Sequence, residues 1–543
     1  MSELSYDVVV VGTGGAGFAA AMGAADEGLR VLMLESTDKW GGSTAMSGGG
    51  MWLPNSPLMQ RDGIGDSREE ALAYLEATVG DDYRATSRER KEAFVDGIED
   101  FVTTAEKYGM SFVRSTDYPD YYPELPGGKI GRAIEVDPFD SKKIGSWWKT
   151  TRALMPLPLK TDDVWLLARA WSTPAGFVRG ASFVFRTLGG AVQGKRRVGT
   201  GAALACSFLD IVVQKQRTEL WLSSPLRGLV VTDGRVTGVQ TVRDGKPVTI
   251  TATRGVVLAA GGFDHNTVLR QKYQGVDGNP SGNPGNVGET IEMTEDLGAA
   301  FELMDDAWWG ASVEPLPGAG AGFLVSERSM PHSIIVDSEG DRIANESESY
   351  VDLGHHMLEH DKDGTYWLLA DARHAHRYLR TYAMDPRANK AMVEAGILVK
   401  ASTLPELARG MGIETSRLKA TIERFNGFAR SGVDADFGRG NSAYDRYYGD
   451  PMVHPNPNLG PIEKGPFTAF KIVLGDLGTK GGVVTDADAR VLREDGSVIE
   501  GLYAAGNVSA SVMGRTYPGP GSTIGPAVVF GLRAARHMGR STR

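Results

Sequence analysis

Residues 6–11 read Tyr-Asp-Val-Val-Val-Val, a short β-branched run that predicts a strand buried on both faces of a parallel sheet. A glycine cluster at 12–17 interrupts the apolar pattern. An alanine-rich helix to about residue 27 follows, and residues 29–34 form a second strand ending in Glu35. The uncharged stretch 8–25 looks at first like a signal or a membrane span. Acidic Glu3 and Asp7 precede it and Gly12, Gly14, Gly15 and Gly17 break it, so it predicts neither secretion nor a span. Further on, 226–232 and 236–242 flank Asp233-Gly234, a hairpin signature, and 248–252 leads into the strand at Val256. The strand-then-glycine pattern recurs at 255–263 and 501–507. Across 404–429, Leu404, Leu407, Met411, Leu418, Ile422 and Phe425 recur at turn-like spacing and predict a helical core element. About 311–475 lacks a nucleotide motif and reads as an inserted α+β substrate-binding unit between 1–310 and 476–543.

Composition narrows the function. The chain has 543 residues, 58 basic against 68 acidic, and a net charge of −10, which argues against a nucleic-acid partner. The lone Cys206 excludes an intrachain disulfide and fits a cytoplasmic location. Seventy glycines of 543 residues is about 13%, roughly twice the usual share, and they cluster at strand ends. His355-His356 and His374-x-His376 have no Cys or carboxylate to complete a ligand set, so no metal site is expected. Residues 164–209 contain no acid but hold Arg169, Arg179, Arg186, Lys195, Arg196 and Arg197 among aromatics such as Trp165, Trp171, Phe177 and Phe185. This basic, aromatic insertion, starting near 150, suits either peripheral contact with an anionic membrane or an amphipathic lid on the protein itself.

The cluster Gly12-Thr13-Gly14-Gly15-Ala16-Gly17 has the spacing of a Rossmann-like dinucleotide turn. Gly12 permits the tight turn, Gly14 lets backbone approach a pyrophosphate, and Gly17 lets helix and strand pack closely. The helix N-terminus stabilises phosphate charge, and Glu35, with Ser36 beside it, stands where a carboxylate accepts hydrogen bonds from a ribose. Gly199-Thr200-Gly201 lacks the preceding strand and the third glycine, so no second nucleotide site is expected.

More glycines follow at Gly42-Ser43-Thr44 and Ser47-Gly48-Gly49, then at Gly261-Gly262 and Gly506-Asn507. The set resembles the FAD-binding signature of the fumarate reductase and succinate dehydrogenase flavoprotein superfamily. The resemblance implies an α/β fold and FAD contact at these positions and at Ile524. Members with covalent FAD carry His where Ser43 stands here, so dissociable, non-covalent FAD is expected.

A closer resemblance rests on Tyr517-Pro518-Gly519-Pro520-Gly521, Gly478-Thr479-Lys480-Gly481-Gly482, the segment from Asp120-Tyr121-Tyr122-Pro123 to Gly128, Asp305-Asp306-Ala307-Trp308-Trp309-Gly310, Asn345-Glu346-Ser347 leading to Tyr350, and Tyr444 to Asp450. These motifs are similar to those of the 3-ketosteroid Δ1-dehydrogenases and span nearly the whole chain. The resemblance implies FAD-dependent 1,2-desaturation of a 3-ketosteroid in steroid catabolism. Tyr350 would take the C2 proton while C1 delivers hydride to flavin N5. Tyr517 and the backbone N–H of Gly521 would hold the C3 oxygen, and Tyr121 would support the base. Tyr122, and more weakly Tyr118, compete for the place of Tyr121. Trp308-Trp309 suit a flat apolar substrate, and Arg515, where many relatives carry His, bears on substrate preference. Reoxidation would fall to an unidentified acceptor, a quinone or other carrier. A dicarboxylate reductase is disfavoured because Leu477 stands where that branch has His. A C4–C5 ketosteroid dehydrogenase and a non-catalytic steroid-binding module remain as alternatives.

Overall fold

The computed structural model describes residues 4–153, 157–380 and 385–540, so residues 154–156 of the basic insertion lie outside it. Two sheets organise the chain. The first has eight strands, with Arg490–Leu492, Val498–Ala504, Lys246–Leu258, Leu4–Val11, Val31–Leu34 and Glu219–Trp221 in spatial order. Its central strands are parallel, with Val8 opposite both Val31 and Gly255 and with Val256 opposite Leu502. Such strands are covered on both faces, which is why they read as unbroken apolar runs rather than alternations. The hairpin at Asp233-Gly234 joins antiparallel Leu226–Thr232 and Arg235–Arg243. The piece at 248–252 and the strand it leads into form one continuous strand. Lys246–Leu258 pairs antiparallel with the hairpin in its first part and runs parallel beside Leu4–Val11.

The helix Gly15–Asp26 packs against the last helix, Ile524–Arg540. Glycine makes this possible, since a Cβ on Gly531 would stand 2.3 Å from the Ala16 carbonyl oxygen. Both helices therefore start at the carboxyl edge of the sheet.

The second sheet has six strands. Ala307–Val313, Phe467–Thr479, Tyr366–Ala370 and Ser333–Val336 lie in order, with Gly322–Phe323 beside the first and Leu398–Ala401 against the second. Its neighbours are antiparallel. The helix Tyr350–Asp361 lies on Ala307–Val313, where a Cβ on Gly354 would come 2.4 Å from Trp309 Cβ. That close approach fixes the height of Tyr350, the first residue of the helix.

The continuous helix expected over 404–429 is two helices, Leu404–Met411 and Thr415–Ser431. Gly412 adopts the left-handed conformation that closes the first, while Glu414 caps the second by accepting from the N–H groups of Ser416 and Arg417. The hydrophobic spacing survives the break because both helices cover one apolar cluster.

Candidate active site

The carboxyl ends of the parallel strands open onto a cavity of about 680 Å³, the usual ligand position in such sheets. Gly12, Gly14, Gly15 and Ala16 line it after the first strand, as do Glu35 and Ser36 after the second. Gly261 and the pair Gly506-Asn507 line it after the third and fourth. Gly42, Ser43, Thr44, Ser47, Gly48 and Gly49 form another wall, and Ile524 brings in the second helix N-terminus. The cradle fits a dinucleotide. Gly12 has φ +106, and a Cβ there would meet the Ala259 carbonyl oxygen at 2.2 Å. Gly14 has no side chain to cap the helix; Gly15 N donates to the Thr44 hydroxyl oxygen at 2.9 Å, and the helix N-terminus turns its positive end toward the place of a phosphate. Glu35 accepts from the Thr13 hydroxyl at 2.5 Å and from Thr37 N at 3.1 Å, which fixes its carboxylate at the strand end.

Two expected cofactor residues lie elsewhere. A Cβ on Gly17 would strike the Gly12 carbonyl oxygen at 2.1 Å, so its part is helix–strand approach, as its place in the turn implies. Gly262 is pressed against Thr479 Oγ1, which a Cβ would meet at 2.1 Å, so it spaces the strand end rather than lining the cavity. The Gly199–Gly201 segment does have a strand before it, Arg197–Val198. Its glycine serves packing, because a Cβ on Gly201 would meet the Thr44 carbonyl oxygen at 2.1 Å.

Beside Ser43 the wall is polar and buried. The Ser43 hydroxyl oxygen accepts from Asn283 N at 3.0 Å and from Asn286 Nδ2 at 3.2 Å, and Asn286 Nδ2 also donates to Asp264 at 3.1 Å. Burial, reinforced by the neighbouring Asp476 carboxylate, pushes the Asp264 carboxyl well above the ordinary range.

At the other end the cavity is walled by phenols. Tyr121, Tyr350, Tyr517 and Gly521 all line it. The ring of Tyr517 lies 5.0 Å from that of Tyr350 and 5.1 Å from that of Tyr121, and Tyr121 and Tyr350 are 5.6 Å apart. The Tyr350 and Tyr517 hydroxyls lie close enough for each to shift the other's ionisation. Burial raises both phenols. For Tyr517 the rise is opposed by the Thr523 and Tyr350 hydroxyls and by the backbone at Gly521 and Thr523. Tyr350 is raised further by Tyr121 and Tyr517.

Loop geometry gives the adjacent tyrosines different surroundings. Tyr121 N donates to the Pro518 carbonyl oxygen at 2.9 Å, and the Tyr74 hydroxyl donates to the same oxygen at 2.6 Å, tying the 118–123 loop to the 517–521 loop. Buried Asp120 anchors it further, accepting from Trp52 Nε1 at 2.7 Å and Arg132 Nη1 at 2.9 Å. Tyr122 turns away, its hydroxyl donating to Asp352 Oδ1 at 2.9 Å. Tyr118 also lines the cavity, with its hydroxyl 3.4 Å from that of Tyr121 and hydrogen-bonded to Tyr448.

Two sequence expectations change here. Trp308 and Trp309 are buried and do not line this cavity, because alternation along Ala307–Val313 turns both into packed layers. Phe323, Trp165, Leu477 and Tyr448 supply the apolar wall instead. Tyr448 sits in a motif already visible in the sequence, whereas Phe323 has no local signal. Arg515 is drawn to Asp305 at 2.6 Å and to the Tyr83 hydroxyl at 3.0 Å, and it does not line the cavity. The histidines reach carboxylates singly, His355 to Asp306 and His360 to Asp337, and no metal-holding cluster occurs among the described residues.

Comparison with known proteins agrees with this geometry. A family described as FAD binding domain matches residues 7–524. The chain is 45% identical to a 3-oxosteroid 1-dehydrogenase of Mycolicibacterium smegmatis, over 98% of this chain and 97% of that protein. It is 36% identical to a 4-oxocyclohex-2-ene-1-carboxylate 5-dehydrogenase of Sinomonas cyclohexanicum, over 99% and 94% respectively. The crystal structure of 3-ketosteroid delta1-dehydrogenase from Sterolibacterium denitrificans in complex with 1,4-androstadiene-3,17-dione superposes with a TM-score of 0.91, at 36% identity over 99% of this chain and 100% of that one. A glycine-cradled dinucleotide cavity that ends in a cluster of tyrosines, together with full-length identity of this order, means that the chain belongs to the FAD-binding-domain family and, within it, to the 3-oxosteroid 1-dehydrogenases.

Proposed function

We propose that this flavoenzyme introduces the C1–C2 double bond into 3-ketosteroids. The observation carrying the reading is the meeting of Tyr350 and Tyr517 beside Gly521 at the end of the cofactor cavity. A C2 hydrogen next to a ring ketone is acidic because the carbanion delocalises onto oxygen. Tyr517 and the Gly521 N–H hold that oxygen and favour the enolate, as an oxyanion hole does. Tyr350 takes the C2 proton, and Tyr121 holds the base in place. FAD, which the glycine cradle from Gly12 to Ala16 and Glu35 would hold, would supply the acceptor for the hydride leaving C1. A free phenol is ionised to only about one part in a thousand at pH 7, and burial pushes Tyr350 further up. Proton removal therefore requires Tyr350 to release its own proton as the C2 proton arrives, any hydroxyl that receives it passing its own proton on toward solvent. Androst-4-ene-3,17-dione added anaerobically should bleach the flavin; binding without bleaching, or bleaching by succinate instead, would overturn the reading. Since Ser43 offers no imidazole for a covalent bond, the yellow colour should leave the pellet on acid precipitation.

The second sheet, spanning about 311–475, is read as the substrate-side unit, with 1–310 and 476–543 on the FAD side. The insertion is read as a peripheral membrane contact. Its helices, Thr161–Ala168 and Pro174–Val192, and the turn between them expose Trp171, Phe177, Phe185, Leu188 and Val192. Thr161, Val164 and Trp165 line the cavity, which puts the apolar face next to its entrance. The basic residues contribute less than the sequence suggests. Arg179 and Arg186 reach buried Asp163, and Arg169 donates to the Gly449 carbonyl. No described helix is long and apolar enough to cross a membrane. Flotation with phosphatidylcholine–phosphatidylglycerol vesicles should carry the protein upward, and Trp171→Ser with Phe185→Ser should leave it at the bottom. Wild-type protein that stays at the bottom would rule the contact out.

A further inference from the structure

Behind Tyr517 lies a buried cation that the reaction as derived does not use. Lys480 follows the strand Phe467–Thr479, and its side chain has no exposure. Its ammonium is 3.2 Å from Asp306 Oδ2 but out of hydrogen-bond alignment with it. Asp306 is held from the other side, with Oδ1 accepting Ala307 N at 2.9 Å and lying 2.8 Å from His355 Nε2. Lys480 Nζ also stands 4.8 Å from the Trp308 ring centroid, and that ring meets Tyr517 edge-on at 5.2 Å. A buried ammonium is costly unless its N–H groups find acceptors.

A second cavity, of about 20 Å³, opens beside it, lined among others by Lys480, Trp308, Asn507, Ser511 and Thr523. Roughly 10–15 Å³ is enough for one water if two to four polar groups surround it. Thr523 belongs, with Gly506, Asn507 and Ala527, to the wall that the two cavities share, and its hydroxyl donates to the Tyr517 hydroxyl at 3.3 Å.

We propose that Lys480 is a positioning residue for Tyr517: its ammonium holds a water that donates to Thr523, Thr523 donates to Tyr517, and Tyr517 is left to give its own proton to the ring-ketone oxygen. The inference rests on the functional reading above, which puts that oxygen at Tyr517. All donors in the chain point one way, so each bond polarises the next. Asp306 does not line the small cavity, so the ion pair presents its positive end there. Arg90 lines it as well, but its Nη1 is committed to the carbonyls of Ala85 and Ala510 at 2.8 and 3.2 Å. Asp352 and Arg515 are the other charges felt by Lys480.

The test uses the holoenzyme and equilenin, a fluorescent steroid whose C3 naphthol reports how strongly the site stabilises an oxyanion there. Wild-type protein should lower the pH at which bound equilenin ionises. Lys480→Met should raise that pH by about one unit. Lys480→Met leaves Asp306 unpaired, so Lys480→Met with Asp306→Asn is also needed. A purely structural ion pair predicts that this neutral pair restores the wild-type ionisation, whereas the proposal predicts the same upward shift. Thr523→Val, which leaves the charges alone, should shift it likewise and add nothing in combination with Lys480→Met. Equilenin bound with unshifted ionisation in the neutral pair and in Thr523→Val would overturn the proposal. Wild-type protein that neither binds equilenin nor bleaches with androst-4-ene-3,17-dione would instead remove the functional reading, and this inference with it.

Discussion

Tyr350→Phe is expected to keep its FAD and to lose roughly 10²- to 10⁴-fold in the rate at which androst-4-ene-3,17-dione bleaches the flavin, the range for loss of a general base. The substitution removes one oxygen and little else. The ring keeps its edge-on contacts with Phe323 at 5.3 Å and Tyr121 at 5.6 Å. The helix it begins, Tyr350–Asp361, lies on the second sheet, away from the glycine cradle, so cofactor loading read from the visible-to-ultraviolet absorbance ratio should match wild type. The pH dependence has a definite sign. A phenol raised by burial holds its proton across the neutral range. Wild-type flavin reduction should therefore quicken as pH rises from 7 toward 10, while the residual rate in Tyr350→Phe should lose that dependence. Stopped-flow reduction at several pH values checks both. Wild-type-like rates in the variant would take Tyr350 out of the proton step.

How much of this was legible beforehand depends on the range of each signal. The nucleotide end is local: strand, turn and helix lie within 35 residues, and glycine spacing reports clashes that any Cβ would cause at Gly12 and Gly17. The tyrosines proposed as catalytic lie far apart in sequence, at 121, 350 and 517, and only their motifs brought them together before coordinates did. The sequence misled where the deciding fact was direction. Trp308 and Trp309 have the chemistry of a steroid wall, but strand alternation and the helix above turn both inward. The arginines of the insertion suggested a basic face, yet Asp163, just outside the acid-free stretch, draws in two of them. Lys480 was visible only as a letter in a glycine motif, since its burial depends on elements contributed from residues 306 to 523.

Tyr517→Phe should cost roughly 10²- to 10³-fold in flavin reduction, the loss typical of one oxyanion donor. Its signature should differ from that of Tyr350→Phe. The base remains, so the rise of rate with pH should persist at a lower level. The second donor also remains, because the Gly521 N–H belongs to the backbone, and its position is enforced by packing. Gly521 has φ +94, and a Cβ there would stand 2.2 Å from the Gly50 carbonyl oxygen, so the loop has one conformation available whatever occupies position 517. Gly519 adds to this, since a Cβ there would meet Trp52 Cδ1 at 2.2 Å. A hole that loses one of two fixed donors should weaken the hold on a developing enolate more than on the neutral ketone. The limiting rate should therefore fall further than steroid affinity. Equal losses in both would mean that Tyr517 binds the ketone without assisting its ionisation, and an unchanged rate would assign the C3 oxygen to another part of the cavity.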